Sequence, residues 1–172
     1  AVAESRNAAN AAAGLQLSIL EDVTLEETLV LTEGSKLTVP AGVTFTIANT
    51  GALENQGTVI ADGTLQNQGS ITNAAEMLLN GELINDGVLK NTGTLNNNGT
   101  ISNNNTVENA GALYNNGTFT TTYGQVSADG TFINAGELLG EENVAGSISG
   151  HVHVWSDKNK VDQETICRFF IS

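Results

Sequence analysis

The side chains with the richest chemistry lie near the C-terminus. His151 and His153 are two residues apart, so a strand would place both on one face. Such a pair can ligate zinc or nickel, but no third ligand stands at a usable spacing, and a solvated surface pair is expected. Cys167 is the only cysteine. A lone cysteine excludes a disulfide framework within the chain and a Cys-rich zinc site. Without a CxxC pair or a neighbouring histidine, it reads as a buried hydrophobe or an intermolecular disulfide partner rather than a nucleophile.

Three acidic pairs, Glu21-Asp22, Glu26-Glu27 and Glu141-Glu142, offer oxygen to a calcium ion. None follows an EF-hand loop or a Gly-Gly-x-Gly-x-Asp repeat, so solvated acids are expected. Asn98-Gly99-Thr100, Asn104-Asn105-Thr106 and Asn116-Gly117-Thr118 match the glycosylation sequon, but an Asn-Gly-Thr repeat generates that match by itself. No Ser/His/Asp constellation and no phosphate loop is present. No catalytic residue, metal or cofactor is therefore assigned, and the chain reads as a non-enzyme.

Composition narrows the partners. The 172 residues carry 19 Asp+Glu against 6 Lys+Arg, a formal charge of −13, with a pI near 4.2. That balance argues against nucleic acid, whose phosphates call for Lys/Arg patches. Apolar residues make up 40% of the chain but are broken everywhere by Gly and Asn, so no membrane insertion is expected. Aromatics are only 5%, so the core must be built from small aliphatics.

The element that positions everything else is a six-residue repeat. From Gly51 the chain reads GALENQ, GTVIAD, GTLQNQ, GSITNA, AEMLLN, GELIND, GVLKNT, GTLNNN, GTISNN, NTVENA, GALYNN, GTFTTT. Tyr123 then intervenes, and the rhythm resumes as GQVSAD, GTFINA, GELLGE. The third position is apolar in every repeat, and only Ala75 and Asn105 replace the first-position glycine. A helix is excluded, because six is not 3.6 and glycine recurs too often. Disorder would not hold the apolar position without lapse.

Six residues are three alternations of a strand, so positions one, three and five share a face. That face is read as the interior of an all-β parallel solenoid, a β-helix. Gly and Asn are expected at the corners because both tolerate positive φ. Asn recurs at position five: Asn55, Asn67, Asn73, Asn85, Asn91, Asn97, Asn103, Asn109 and Asn115, and again at Asn134. Stacked coils about 4.8 Å apart would join these amides into a hydrogen-bonded ladder.

The number of hexads per coil is testable within the chain. Position four is usually polar, but Ile60, Leu78, Tyr114 and Ile133 are not. Coils of about 18 residues bring these four into one outward stripe, with Asn96 filling the missing step and Tyr123 accounting for one extra residue. Ile84 and Leu139 fall on another face. Handedness is not written in the pattern; right-handed winding is favoured because of the asparagine ladder.

The ends differ from the middle. Residues 1–14 carry almost no large apolar side chain and read as a tail or short helix rather than a core element. The solenoid is placed at 15–154, with capping coils at 15–50, where Leu29, Leu31, Leu37, Val39, Val43, Phe45 and Ile47 alternate without the Gly-Asn rhythm. Pro40-Ala41-Gly42 marks a turn. Residues 155–172 hold Lys158, Lys160 and Arg168 and an apolar stretch around Phe169, Phe170 and Ile171. That stretch is expected to cap the solenoid, to lie along the stripe, or to pair with a neighbouring molecule.

The run LTVPAGVTFTIANTGALENQGTVIADGTLQNQGSITN, residues 37–73, resembles the β-helical repeat regions of secreted bacterial surface proteins. These include adhesins of the autotransporter and filamentous-haemagglutinin kind and related surface proteins of Gram-positive bacteria. The resemblance covers about residues 30–140. It implies an extracellular or cell-surface protein, its signal peptide removed, with a structural or adhesive role. The expected function is a self-assembling filament or surface-layer subunit joined through its terminal segments. The alternatives are a module binding a glycan or host surface, for which Tyr114 and Trp155 are the aromatic candidates, and an ice-binding protein using Thr64, Thr100 and Thr118.

Overall fold

Most hexads fold as one short strand, about positions two to five, followed by a corner at positions six and one. The structure, a computed structural model, describes residues 14–150. The first coil is β1 (Gln16–Ser18), β2 (Val23–Leu25) and β3 (Thr28–Leu31). The second is β4 (Lys36–Val39), β5 (Thr44–Ile47) and β6 (Ala52–Asn55). The third is β7 (Thr58–Ala61), β8 (Thr64–Asn67) and β9 (Ser70–Asn73), and the fourth β10 (Glu76–Leu79), β11 (Glu82–Asn85) and β12 (Val88–Asn91). The fifth is β13 (Thr94–Asn97), β14 (Thr100–Asn103) and β15 (Thr106–Asn109). The sixth is β16 (Ala112–Asn115), β17 (Thr118–Thr120) and the first half of β18 (Gln125–Asn134). The seventh takes the second half of β18, then β19 (Glu137–Leu139) and the start of β20 (Val144–Gly150), whose end opens an eighth.

All strand pairings are parallel, and they build three faces. Face A stacks β1, β4, β7, β10, β13, β16 and the ends of β18 and β20; face B stacks β2, β5, β8, β11, β14, β17 and β19; face C stacks β3, β6, β9, β12, β15 and the starts of β18 and β20. Because β18 runs around a corner, it links faces A and C into one hydrogen-bonded sheet. The fold is thus the parallel β-solenoid expected from the hexads, in about eight coils.

In the regular region, residues one coil apart differ by 18: Glu76 pairs with Thr94, and Leu83 with Ile101. The Tyr123 insertion raises that spacing by one, so that Thr106 pairs with Gln125 and Tyr114 with Ile133. The first two coils are wider. Lys36 pairs with Thr58 and Thr28 with Ala52, because their corners are longer loops. In two of those loops a tight turn closes, Ser35 N–H to the Thr32 carbonyl and Val43 N–H to the Pro40 carbonyl, with Gly34 and Gly42 at positive φ.

The core is a stack of single aliphatic layers. Leu37, Val59, Met77, Leu95 and Leu113 line face A from within, Phe45, Leu65, Leu83 and Ile101 face B, and Leu53, Ile71, Leu89 and Val107 face C; all are fully buried. Each such side chain contributes about 1.5–3 kcal/mol by leaving water. Phe119 and Phe132 pack together in the sixth and seventh coils, with ring centroids 5.6 Å apart and planes tilted by 54°.

Position five carries the asparagines, also buried, and most of their amides donate to neighbours one coil on. On face C, Asn55 Nδ2 donates to Asn73 Oδ1 at 2.7 Å, Asn73 to Asn91 at 2.8 Å and Asn91 to Asn109 at 2.7 Å. On face B, Asn67 donates to Asn85 at 2.7 Å and Asn85 to Asn103 at 2.8 Å, and Asn103 ends the run on Thr121 Oγ1 at 3.0 Å. On face A, Asn97 donates to Asn115 at 2.7 Å and Asn115 to Asn134 at 2.6 Å. The second amide hydrogen of each goes to a backbone carbonyl of the next corner, as Asn85 does to Thr106 at 3.0 Å. The ladders therefore tie corners together as well as one another.

The glycines correct the expectation drawn from φ. Among the described residues no non-glycine residue has a positive φ, and no first-position glycine of the hexads has one either. Asn and Gly do not bend these corners by entering the left-handed region. The glycine is required by close approach. A Cβ on Gly81 would overlap the Gly63 carbonyl oxygen, one on Gly99 that of Gly81, and one on Gly117 that of Gly99. Stacked corners meet backbone on backbone, and only glycine leaves room for the contact.

Candidate interaction surfaces

The outward positions of three parallel faces form straight files, and the files are the candidate sites. On face A the position-four file runs Thr38, Ile60, Leu78, Asn96, Tyr114, Ile133 and Ser149, each in register with the next. Ile60, Leu78, Tyr114 and Ile133 thus lie in the single stripe that the spacing predicts, and Asn96 occupies the gap. All four are half-buried, because each leans on its neighbours above and below. The remaining apolar candidates, Phe169, Phe170 and Ile171, lie outside the described residues, as do His151, His153, Trp155, Cys167 and the tail at 1–13.

Face B presents a hydroxyl-rich file. Thr44, Thr64, Glu82, Thr100, Thr118 and Glu137 follow one another at position two. Glu82 and Glu137 interrupt the threonines, and Thr118 Oγ1 donates to Glu137 Oε2 at 3.3 Å. Ile84 and Leu139 stand in the adjoining file of the same face. On face C the outward Lys90 and Glu108 are paired at 3.2 Å. That pair is exposed and holds little energy.

A second set of ladders runs along the outside, and the hexad reading did not single it out. At the corner between faces A and B, Asn80 Nδ2 donates to Asp62 Oδ1 at 2.8 Å, Asn98 to Asn80 at 3.0 Å and Asn116 to Asn98 at 3.0 Å. At the corner between faces B and C, Asn104 donates to Asp86 Oδ1 at 2.8 Å. The signal was available: 62, 80, 98 and 116 are each one coil apart, as are 86 and 104. It is hidden because position six varies more than position five.

The acidic pairs are dispersed over loops. Asp22 Oδ1 accepts the Thr44 backbone N–H at 2.7 Å, which makes it a brace between the first two coils. Glu141 lies in a 3-10 turn, Glu141–Asn143. Burial, reinforced by the charge of Glu142, pushes its carboxyl above the usual carboxylate range. Among the described residues no three His, Cys, Asp or Glu side chains converge to hold a metal ion, and no helix is long and apolar enough to cross a membrane.

The chain matches no family model, no curated protein and no solved structure. Its architecture and its ladders therefore stand on its own geometry.

Proposed function

We propose that this chain is a non-enzymatic structural protein of the cell exterior, a rod that joins copies of itself end to end into a filament or layer. One observation carries the reading. Among the described residues, β1, β2 and β3 each have a strand neighbour on one side only. Their odd-numbered residues bond to the second coil, as in Ile19 N–H to Thr38 O, Ala48 N–H to Leu25 O and Gln56 N–H to Leu31 O. The alternation of a parallel ladder then aims the backbone groups of Ser18, Thr24 and Val30 away along the rod axis. Such an edge is a template for another strand, and edge pairing is a recurrent mode of assembly.

Electron microscopy of the purified chain beside a Thr24→Pro/Val30→Pro variant tests this. Proline there removes two outward N–H donors and no internal one. Filaments or ordered layers from the parent, lost in the variant, support the proposal; compact monomers from the parent overturn it.

A second reading is a surface module that binds glycan. Tyr114 stands in the outward file beside Asn96, and an aromatic ring next to an amide suits a sugar. Saturable binding to a glycan panel by a monomer, abolished by Tyr114→Ala, would favour it over assembly.

A further inference from the structure

The chain contains three Asn-Gly dipeptides, Asn80-Gly81, Asn98-Gly99 and Asn116-Gly117. The fold stacks all three on one exposed corner, in register above Asp62-Gly63. Glycine after asparagine lets the following backbone nitrogen reach the side-chain amide carbon with least steric opposition. The glycine nitrogen gives its proton to base and attacks Asn Cγ. The tetrahedral centre expels Nδ2 as ammonia, and a five-membered succinimide remains. Water opens either ring carbonyl to give aspartate or isoaspartate. One water is consumed and one ammonia leaves, with no change of oxidation state.

We infer that this corner is a graded stack of deamidation sites, in which Asn116 converts first and Asn80 last. The backbone restraint is the same at all three. Gly81 N–H donates to the Ala61 carbonyl at 2.9 Å, Gly99 N–H to Leu79 at 3.1 Å and Gly117 N–H to Asn97 at 3.1 Å. Each nucleophile must therefore be released by local opening of its corner before it attacks.

The side chains make the difference. Asn116 has one ladder bond, down to Asn98, and Ala135 follows it in the next coil with no amide to offer. Asn98 has two, donating to Asn80 and accepting from Asn116. Asn80 also has two, and its donor bond at 2.8 Å ends on the Asp62 carboxylate, a stronger acceptor than an amide. The products rank in the same order. A carboxylate at position 116 forfeits one bond, and one at 98 faces the Asn80 oxygen. A carboxylate at 80 would stack on that of Asp62 with no proton between them.

The test is peptide mapping by mass spectrometry of the folded chain held at mildly alkaline pH, with aspartate and isoaspartate resolved at each site. Asn116 is expected to outpace Asn98 by about fivefold, the effect of one neutral ladder bond, with Asn80 slowest. In denaturant the three rates converge. Asp62 is exposed, so Asp62→Ala keeps the fold; it leaves Asn80 one ladder bond, raises its rate past that of Asn98 toward that of Asn116, and leaves Asn116 unchanged. Equal rates at the three sites in the folded chain, or an Asn80 rate indifferent to Asp62→Ala, would overturn the assignment.

Discussion

Asn97 and Asn98 are neighbours in the chain and donate in opposite directions along the solenoid. Asn97 Nδ2 bonds Asn115 in the following coil at 2.7 Å, while Asn98 Nδ2 bonds Asn80 in the preceding coil at 3.0 Å. Inside, the direction is set by backbone, because the second Asn97 hydrogen must meet the Thr118 carbonyl at 2.9 Å. Outside, it is set by Asp62, whose carboxylate can only accept and so turns every amide above it downward.

The inner ladder is expected to be weakest at its N-terminal ends. Asn67 Oδ1 and Asn97 Oδ1 have no hydrogen-bond partner among the described residues, since the apolar Ile47 and Leu79 lie beneath them. Asn85, in mid-ladder, accepts from Asn67 and donates to Asn103 and Thr106. Asn85→Leu should cost about 2–4 kcal/mol, and Asn67→Leu only about 1–2 kcal/mol. Guanidinium denaturation of both variants checks the ranking; equal costs would mean that the ladder bonds are not the stabilising element.

Glycine at the corner is a matter of space. Gly99→Ala should destabilise by about 1–3 kcal/mol, because its Cβ would displace the Gly81 carbonyl. The same denaturation assay reads it, and a neutral substitution would show that the coils part easily at this corner.

Tyr123 is the one-residue insertion, and it is 84% exposed. Its deletion should restore the 18-residue step between Thr106 and β18, with a stability change below about 1 kcal/mol. Thermal unfolding of the deletion variant measures this. A larger loss would assign the insertion a part in holding Thr121 above the end of the face B ladder.

Glu141 contributes a pH dependence of defined sign. Its carboxyl is raised in the fold by burial and by Glu142, so between the ordinary and the raised pKa the folded chain holds more protons than the unfolded one. Stability from this group therefore falls as pH rises through that window, and the penalty persists above it. Glu141→Gln should remove the slope and raise the melting temperature at neutral pH. Melting curves of both proteins across the acidic range decide it, and parallel curves would contradict the assignment.

Much of the architecture was legible beforehand. The unbroken third position from Leu53 to Leu138 indicates a buried file, and the spacing of Ile60, Leu78, Tyr114 and Ile133 yields three hexads per coil. The first two coils were legible as strands but not in register. Pairings such as Thr28 with Ala52 depend on loop lengths around Thr32–Ser35 and Pro40–Val43 that follow no period. The outward stripe could be located from spacing, whereas the ladder from Asp62 to Asn116 required the corner geometry that aims those side chains along the rod.

By itself the sequence determined what is local: short strands, which side chains point inward, and an asparagine at position five of most hexads. These follow from the two-residue alternation of a strand, which any hexad expresses without its neighbours. The tertiary structure alone decided the opposed directions of the two ladders, the partnerless oxygens of Asn67 and Asn97, and the reason for glycine. Each of these is a contact between residues one coil apart, and such contacts exist only after the coils have stacked.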